Sequence, residues 1–288
     1  MLKPLLQLCF FVLFSIQGYS QAISLDSLKQ LRKAALNENL TNEEILSINR
    51  AFKTTLIEFL ETSDWKKSPF DSIPYFARLT SPDKVFDLFC WNVGLADGEF
   101  KYFAIMAHHP TERVIAFTDQ SDKLYDVEYK KLDQNNWFGA LYYEVIPVKL
   151  KKEVYYTVLG WDGHNDFTTK KVIDAFRIDE KGFVRFDQIV FKYKGNQKSR
   201  VVFEYSERAN MSLKYNEKAE LIIFDHLAPF QEGAEGIFEF YGPDLSFDGF
   251  ELSKGVWNFV EDVDARSPNT MENYIDPRKN KLNLNSPK

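Results

Sequence analysis

The chain has 288 residues, of which 42 are acidic and 36 basic, for a net charge of −6, and 16% are aromatic. An acidic surface repels phosphate backbones, and no lysine–arginine cluster interleaved with aromatics occurs, which argues against nucleic acid as a partner. With two cysteines, one of them inside an N-terminal apolar run, no disulfide framework is expected, so stability must come from a packed core.

Residues 1–20 have the pattern of a secretory signal peptide: a short start with Lys3, an apolar run from Leu5 to Ile16, and the exit Gln17-Gly-Tyr-Ser20. The run is interrupted by Gln7 and falls short of the roughly 20 apolar residues a membrane-spanning helix needs, so no retained span is expected. Gly18 and Ser20 fit the −3 and −1 positions of a cut before Gln21. Cys9 follows Leu8 inside the run, where a lipoprotein cut would need a small residue. Cleavage removes Lys3 and no acid, and leaves Cys90 as the sole cysteine. Its neighbours Leu88, Phe89 and Trp91 are apolar and supply no base, which predicts a buried, inert thiol. The expected destination is outside the cytoplasm: periplasm, cell surface or medium.

Residues 21–67 read as a helical hairpin. Leu25, Leu28, Leu31 and Ala35 share one helical face. Thr41-Asn-Glu-Glu44 has capping-box spacing, and Ile45, Ile48, Phe52, Leu56, Phe59 and Leu60 form the stripe of a second helix ending near Trp65. Ser68-Pro69, Ile73-Pro74 and Ser81-Pro82 then break the chain.

Residues 84–264 read as an antiparallel β domain. Its expected strands are Phe100 to Ala107, Arg113 to Thr118, Leu141 to Val148, Val154 to Leu159, Val172 to Ile178, Phe183 to Tyr193, Val201 to Tyr205, Leu221 to Asp225 and Gly236 to Tyr241. Turn signals fall between them at Asp97-Gly98, Asp179-Glu-Lys-Gly182, Lys194-Gly-Asn196 and Tyr215-Asn216. Thr168 to Ile178 also fits a helical face, with Thr168 as its cap; its brevity and the glycine turn that follows favour a strand. Trp91 and Trp137 stand at a propeller-like spacing that Trp161 and Trp257 do not continue. The fold class is therefore mainly β, α+β overall: an antiparallel β-sandwich or barrel-like meander preceded by an N-terminal helical hairpin. Residues 265–288 are polar and are expected to form a disordered tail.

The first candidate ligand site is Trp161-Asp162-Gly163-His164-Asn165-Asp166. Asp162, His164 and Asp166 alternate as in calcium loops, but Phe167 stands where an EF-hand has glycine and Ile173 where it has an acid, so no metal is assigned. Asp, Gly and Asn are also what a tight turn requires. Trp161 would offer a sugar ring a flat platform. The second candidate is Tyr241 with Asp244, in an acidic and aromatic stretch that includes Asp248. Carboxylates from such loops are what glycoside hydrolysis needs. His108-His109 would point to opposite faces of a strand, which disfavours zinc. Asp225-His226 lacks a Gly-x-Ser-x-Gly partner. No cofactor motif is present, and none is expected.

Two blocks carry a resemblance: Tyr155 to Gly163 with Phe167-Thr-Thr-Lys-Lys171, and Arg200 to Tyr205 with Phe224-Asp-His226 and Tyr241-Gly-Pro-Asp244. Together with the leader, they resemble uncharacterised exported proteins of Bacteroidota-type bacteria, a likeness that implies export and no particular activity. The resulting expectation is an exported, non-catalytic binding or structural protein of the cell envelope, with a glycan or an envelope protein as partner. The alternative is a hydrolase acting on an envelope or environmental polysaccharide through Asp162, Asp244 or Asp248.

Overall fold

The computed structural model describes residues 23–264 apart from Glu38, Ser63, Asp64 and Asp97. The expected leader, the tail over 265–288 and the Asp97 half of one expected turn lie outside the described residues. The fold is mainly β, with antiparallel sheets preceded by two helices.

Helix α1 spans Leu25–Ala34, and α2 spans Asn42–Leu60. Ser24 caps the first by accepting the Ser27 amide at 3.2 Å. Thr41 and Glu44 cap the second reciprocally: Thr41 Oγ1 accepts the Glu44 amide at 3.3 Å, and Glu44 Oε2 accepts the Thr41 amide at 2.9 Å. The second helix stops at Leu60, and Trp65 opens a separate 3-10 turn, Trp65–Lys67.

Among the described residues sixteen strands follow: β1 (Phe76–Thr80), β2 (Phe86–Gly94), β3 (Phe100–His108), β4 (Arg113–Ala116), β5 (Leu132–Asp133), β6 (Leu141–Leu150), β7 (Glu153–Asp162) and β8 (Thr168–Ile178), then β9 (Val184–Phe186), β10 (Phe191–Tyr193), β11 (Asn196–Lys198), β12 (Arg200–Ser206), β13 (Leu213–Asn216), β14 (Leu221–Pro229), β15 (Tyr241–Ser253) and β16 (Val256–Val260). The first sheet has the order β1-β2-β3-β4, the middle sheet β5-β9-β8-β7-β6 with β12 also on β8, and the third β11-β10-β16-β15-β14-β13.

Three cores hold these layers together. The helices lay Leu28, Phe52 and Leu56 on Phe89, Trp91 and Ile105 of the first sheet. That sheet turns Leu88, Cys90, Ala104 and Met106 the other way, onto Val158, Val172 and Phe176 of the middle sheet. The middle sheet turns Tyr155, Leu159 and Ile173 onto Ile222, Phe250 and Trp257 of the third. The alternation is the ordinary period of two; what is unusual is that both faces of the middle sheet are buried. Arg32, almost fully buried, pins α1 down by donating to Pro74 O at 3.2 Å, Tyr75 O at 3.1 Å and Asn92 O at 2.7 Å. Burial pushes its pKa down to about 10.

Several expectations are corrected. Strand structure begins at Phe76, ahead of Lys84, and β1, β2, β5, β11, β13, β15 beyond Tyr241 and β16 are added to the strands expected. Phe183 to Tyr193 divides into β9 and β10, which belong to different sheets. Gly236 to Tyr241 is not a strand: its centre is the 3-10 turn Phe238–Phe240, and Tyr241 begins β15. Tyr215 and Asn216 end β13 rather than turning, and stand in antiparallel register with Ile222 and Leu221 of β14. The ambiguous Thr168–Ile178 is a strand throughout. One pair, β10 with β16, is parallel within otherwise antiparallel sheets.

Candidate ligand site at the end of the middle sheet

Trp161 and Asp162 are not loop residues. They end β7, where Trp161 pairs with Leu141 and Lys171 and Asp162 pairs with Lys170. The turn proper runs from Gly163 to Phe167. Asp162 Oδ1 accepts the His164 amide at 2.8 Å, and Asn165 Oδ1 accepts those of Phe167 and Thr168 at 2.8 and 2.9 Å. These are side chains standing in for backbone acceptors, the work Asp and Asn do in turns. Asp162 is buried, and the Tyr102 hydroxyl beside it accepts the Gly163 amide at 2.6 Å. Burial, reinforced by the Asp162 charge, raises the Tyr102 pKa well above its ordinary value.

Gly163 cannot be replaced without displacing rings. A Cβ there would stand 2.6 Å from Phe100 and 2.8 Å from Trp161. Trp161 meets Phe100 edge-on, with centroids 5.8 Å apart and planes at 70°. Its indole is half-buried in this contact rather than laid open as a platform. Phe167 is the exposed aromatic here, at 67%.

Across the strands, Asp162, Lys170 and Glu204 occupy one row of β7, β8 and β12, because Lys170 pairs in register with both carboxylates' residues. An acid–base–acid row of this kind is mutually stabilising. His164 lies over it. Lys170 Nζ is 3.0 and 3.1 Å from the two imidazole nitrogens, and Glu204 Oε1 is 3.7 Å from Nε2. Thr168 Oγ1 donates to Glu204 Oε1 at 2.8 Å. Burial first, and the Lys170 ammonium second, lower the His164 pKa, so its imidazole is held neutral. The His164 backbone adopts φ of 52°, a left-handed conformation that costs a side-chain-bearing residue energy. Asp166 is exposed, and its carboxylate lies against Gly98, where a Cβ would come within 2.3 Å of Oδ1.

Tyr241 and Asp244 have their partners elsewhere. The Tyr241 hydroxyl accepts the Gly236 amide at 2.9 Å, and its ring lies 5.4 Å from that of Phe238. Asp244 accepts the Ser246 hydroxyl at 2.6 Å and its amide at 3.0 Å, and the hydroxyl contact holds its carboxyl below the usual range. The 3-10 turn Phe238–Phe240 does run alongside β12, the strand that carries Glu204.

Other expected groups are held by local partners. His226 is oriented by Asp248 (Nδ1 to Oδ2, 2.8 Å) rather than by Asp225, which accepts the Ser212 amide at 2.7 Å. His108 meets Thr111 at 2.7 Å and His109 meets Asp87 at 2.9 Å, so the adjacent histidines separate. Among the described residues no group of three or more His, Cys, Asp or Glu could hold a metal ion. Cys90 is fully buried, and burial pushes its thiol up to about 12. An open depression of about 640 Å³ at the opposite end of β7 and β8 holds Arg177 and Arg185. Both are already engaged: Arg177 by Asp187 at 2.9 and 3.0 Å, Arg185 by Asp133 at 3.3 Å and Asp179 at 3.5 Å.

Lys170, Thr168 and Glu204 were missing from the sequence candidates. Their proximity arises from strand pairing between positions 36 apart for Thr168 and Glu204, which spacing along one segment cannot show. A signal did exist: Thr168-Thr-Lys-Lys171 and Glu204 are polar residues set within strands rich in apolar ones. No described helix is long and apolar enough to cross a membrane. A scan against family models, a search of curated proteins and a search of solved structures each return no match.

Proposed function

We propose that the protein is an exported, non-catalytic binding protein of the cell envelope that takes a hydroxyl-rich ligand, a glycan segment, at the end of its middle sheet. The observation that carries this reading is the row Asp162–Lys170–Glu204 with a neutral His164 above it. Lys170 supplies donors, while Glu204 and the imidazole can accept, which matches the alternating donors and acceptors of a sugar edge. Exposed Phe167 supplies an apolar surface for the ring face. The hydrolytic alternative has less support, because Asp162 and Asp248 are buried and already accept protein donors.

The test is calorimetric titration of the mature chain with envelope-derived oligosaccharides. Binding should fall at least about tenfold in Lys170→Met and in Glu204→Gln, and less in Phe167→Ala, with unchanged circular dichroism. Oligosaccharide turnover, or affinity unaffected by all three substitutions, would refute the assignment. N-terminal sequencing of the exported product should begin at Gln21.

A further inference from the structure

The hairpin between β14 and β15 ends in a tip that the ligand site does not use. Phe230 is 64% exposed, Ile237 48% and Phe238 43%, a concentration of open apolar side chains on a few residues. Isolated exposed apolar residues are ordinary; clustered ones mark contact surfaces. The tip is also held in shape. Phe230 N donates to Phe240 O at 3.0 Å, Ile237 N to Ala234 O at 3.0 Å, Phe240 N to Ile237 O at 3.0 Å, and Gly236 N to the Tyr241 hydroxyl at 2.9 Å. Ala234 is buried inside the loop, and Phe230 packs edge-on to Phe240 at 6.3 Å. An apolar surface already ordered loses little conformational entropy when it is covered.

The tip's own charges have one sign, although exposed Arg208 stands one residue from Ala209, which packs beside Gly242 at its base. Glu232, Glu235 and Glu239 are exposed on the tip. Between Lys218 and Lys254 the chain has eight acidic residues and no lysine or arginine. Such a field repels anionic lipid headgroups, polyanions and a second copy of this acidic chain, and it attracts cations over about one Debye length, ~8 Å at physiological salt.

We propose that the β14–β15 tip docks a cationic segment of another protein, one that seats an apolar side chain against Phe230 and Phe238 while its lysines or arginines face Glu232, Glu235 and Glu239. This docking is independent of the glycan reading, and the two fail separately.

The test is fluorescence anisotropy of the full chain with three synthetic peptides of equal length: alternating lysine and leucine, alternating glutamate and leucine, and alternating lysine and serine. The lysine–leucine peptide should bind best and weaken with added salt. Its affinity should drop at least about tenfold in Phe230→Ser/Phe238→Ser and in Glu232→Lys/Glu235→Lys/Glu239→Lys. All substituted residues are exposed, and thermal melts would verify that both variants fold. Equal affinity for the lysine–leucine and lysine–serine peptides, unchanged binding by either variant, or preference for the glutamate peptide would overturn the proposal. So would binding of phosphatidylglycerol vesicles through the tip, or a dimer in sedimentation that the phenylalanine substitutions dissolve.

Discussion

Arg200 and Asp174 face each other across β12 and β8 with neither side chain exposed, Nε lying 3.2 Å from Oδ2. Arg200 also donates through Nη1 to Val127 O and to Lys130 O, and Asp174 accepts the Tyr142 hydroxyl at 3.2 Å. Burial raises the Asp174 pKa despite the guanidinium beside it. A pair so dry is held at a cost, and removing one member should be worse than removing both. Arg200→Ala is expected to destabilise the fold by about 3–5 kcal/mol in urea titration, and Arg200→Met/Asp174→Leu to recover most of that loss. A double variant as unstable as the single one would contradict this account.

Asn49 of α2 accepts the Trp91 indole N–H at 2.7 Å, a buried side-chain bond that ties α2 to the first sheet. Asn49→Leu strands that donor and should cost about 1–3 kcal/mol. Adding Trp91→Phe to Asn49→Leu should cost less than Trp91→Phe does alone, a coupling read from a double-mutant cycle.

Glu144, at the bulge of β6, accepts the Tyr215 amide of the third sheet at 3.2 Å, and burial lifts its pKa from 4.5 to about 7. The folded protein thus binds this proton more tightly than the unfolded chain does. Its contribution to stability falls as pH rises from about 4.5 to about 7, and stays low above that. Glu144→Gln keeps the acceptor and removes the charge, so it should stabilise the protein at pH 8, on the order of 2 kcal/mol, and have little effect near pH 4. Denaturation midpoints of both proteins across this range check the sign; a constant difference would exclude it.

His164 combines a left-handed backbone with a place in the candidate site. His164→Gly removes the backbone penalty and the imidazole together. Stability is expected to rise by about 1 kcal/mol while glycan affinity falls, the opposite signs of a strained functional position. Loss of both would mean that the imidazole serves only packing.

The N-terminal helices were readable because their signals are local: a capping box at Thr41 and Glu44, and stripes at helical spacing. Most strands were readable from apolar runs between turn residues. Legibility failed where tertiary contacts decide the outcome. Thr168–Ile178 lost its alternation because β8 is buried on both faces, so helix and strand looked alike. Phe183 to Tyr193 held one apolar run that the fold divides between two sheets. At the site, Asp162, His164 and Asn165 were visible as a turn, but Lys170 and Glu204 joined them only through strand register. Trp161 was found, yet its packing on Phe100 could not be read from its neighbours in sequence.

Because the middle sheet lines two hydrophobic cores, the chain offers no clean place to be cut. A fragment ending after Phe186 would present Tyr155, Leu159 and Ile173 to water, and one beginning there would do the same to Ile222, Phe250 and Trp257. Such halves should be insoluble when expressed alone. Tags, crystallisation partners or labels belong instead in the tight turns at Gly195 or Glu217–Ala219, whose residues are exposed.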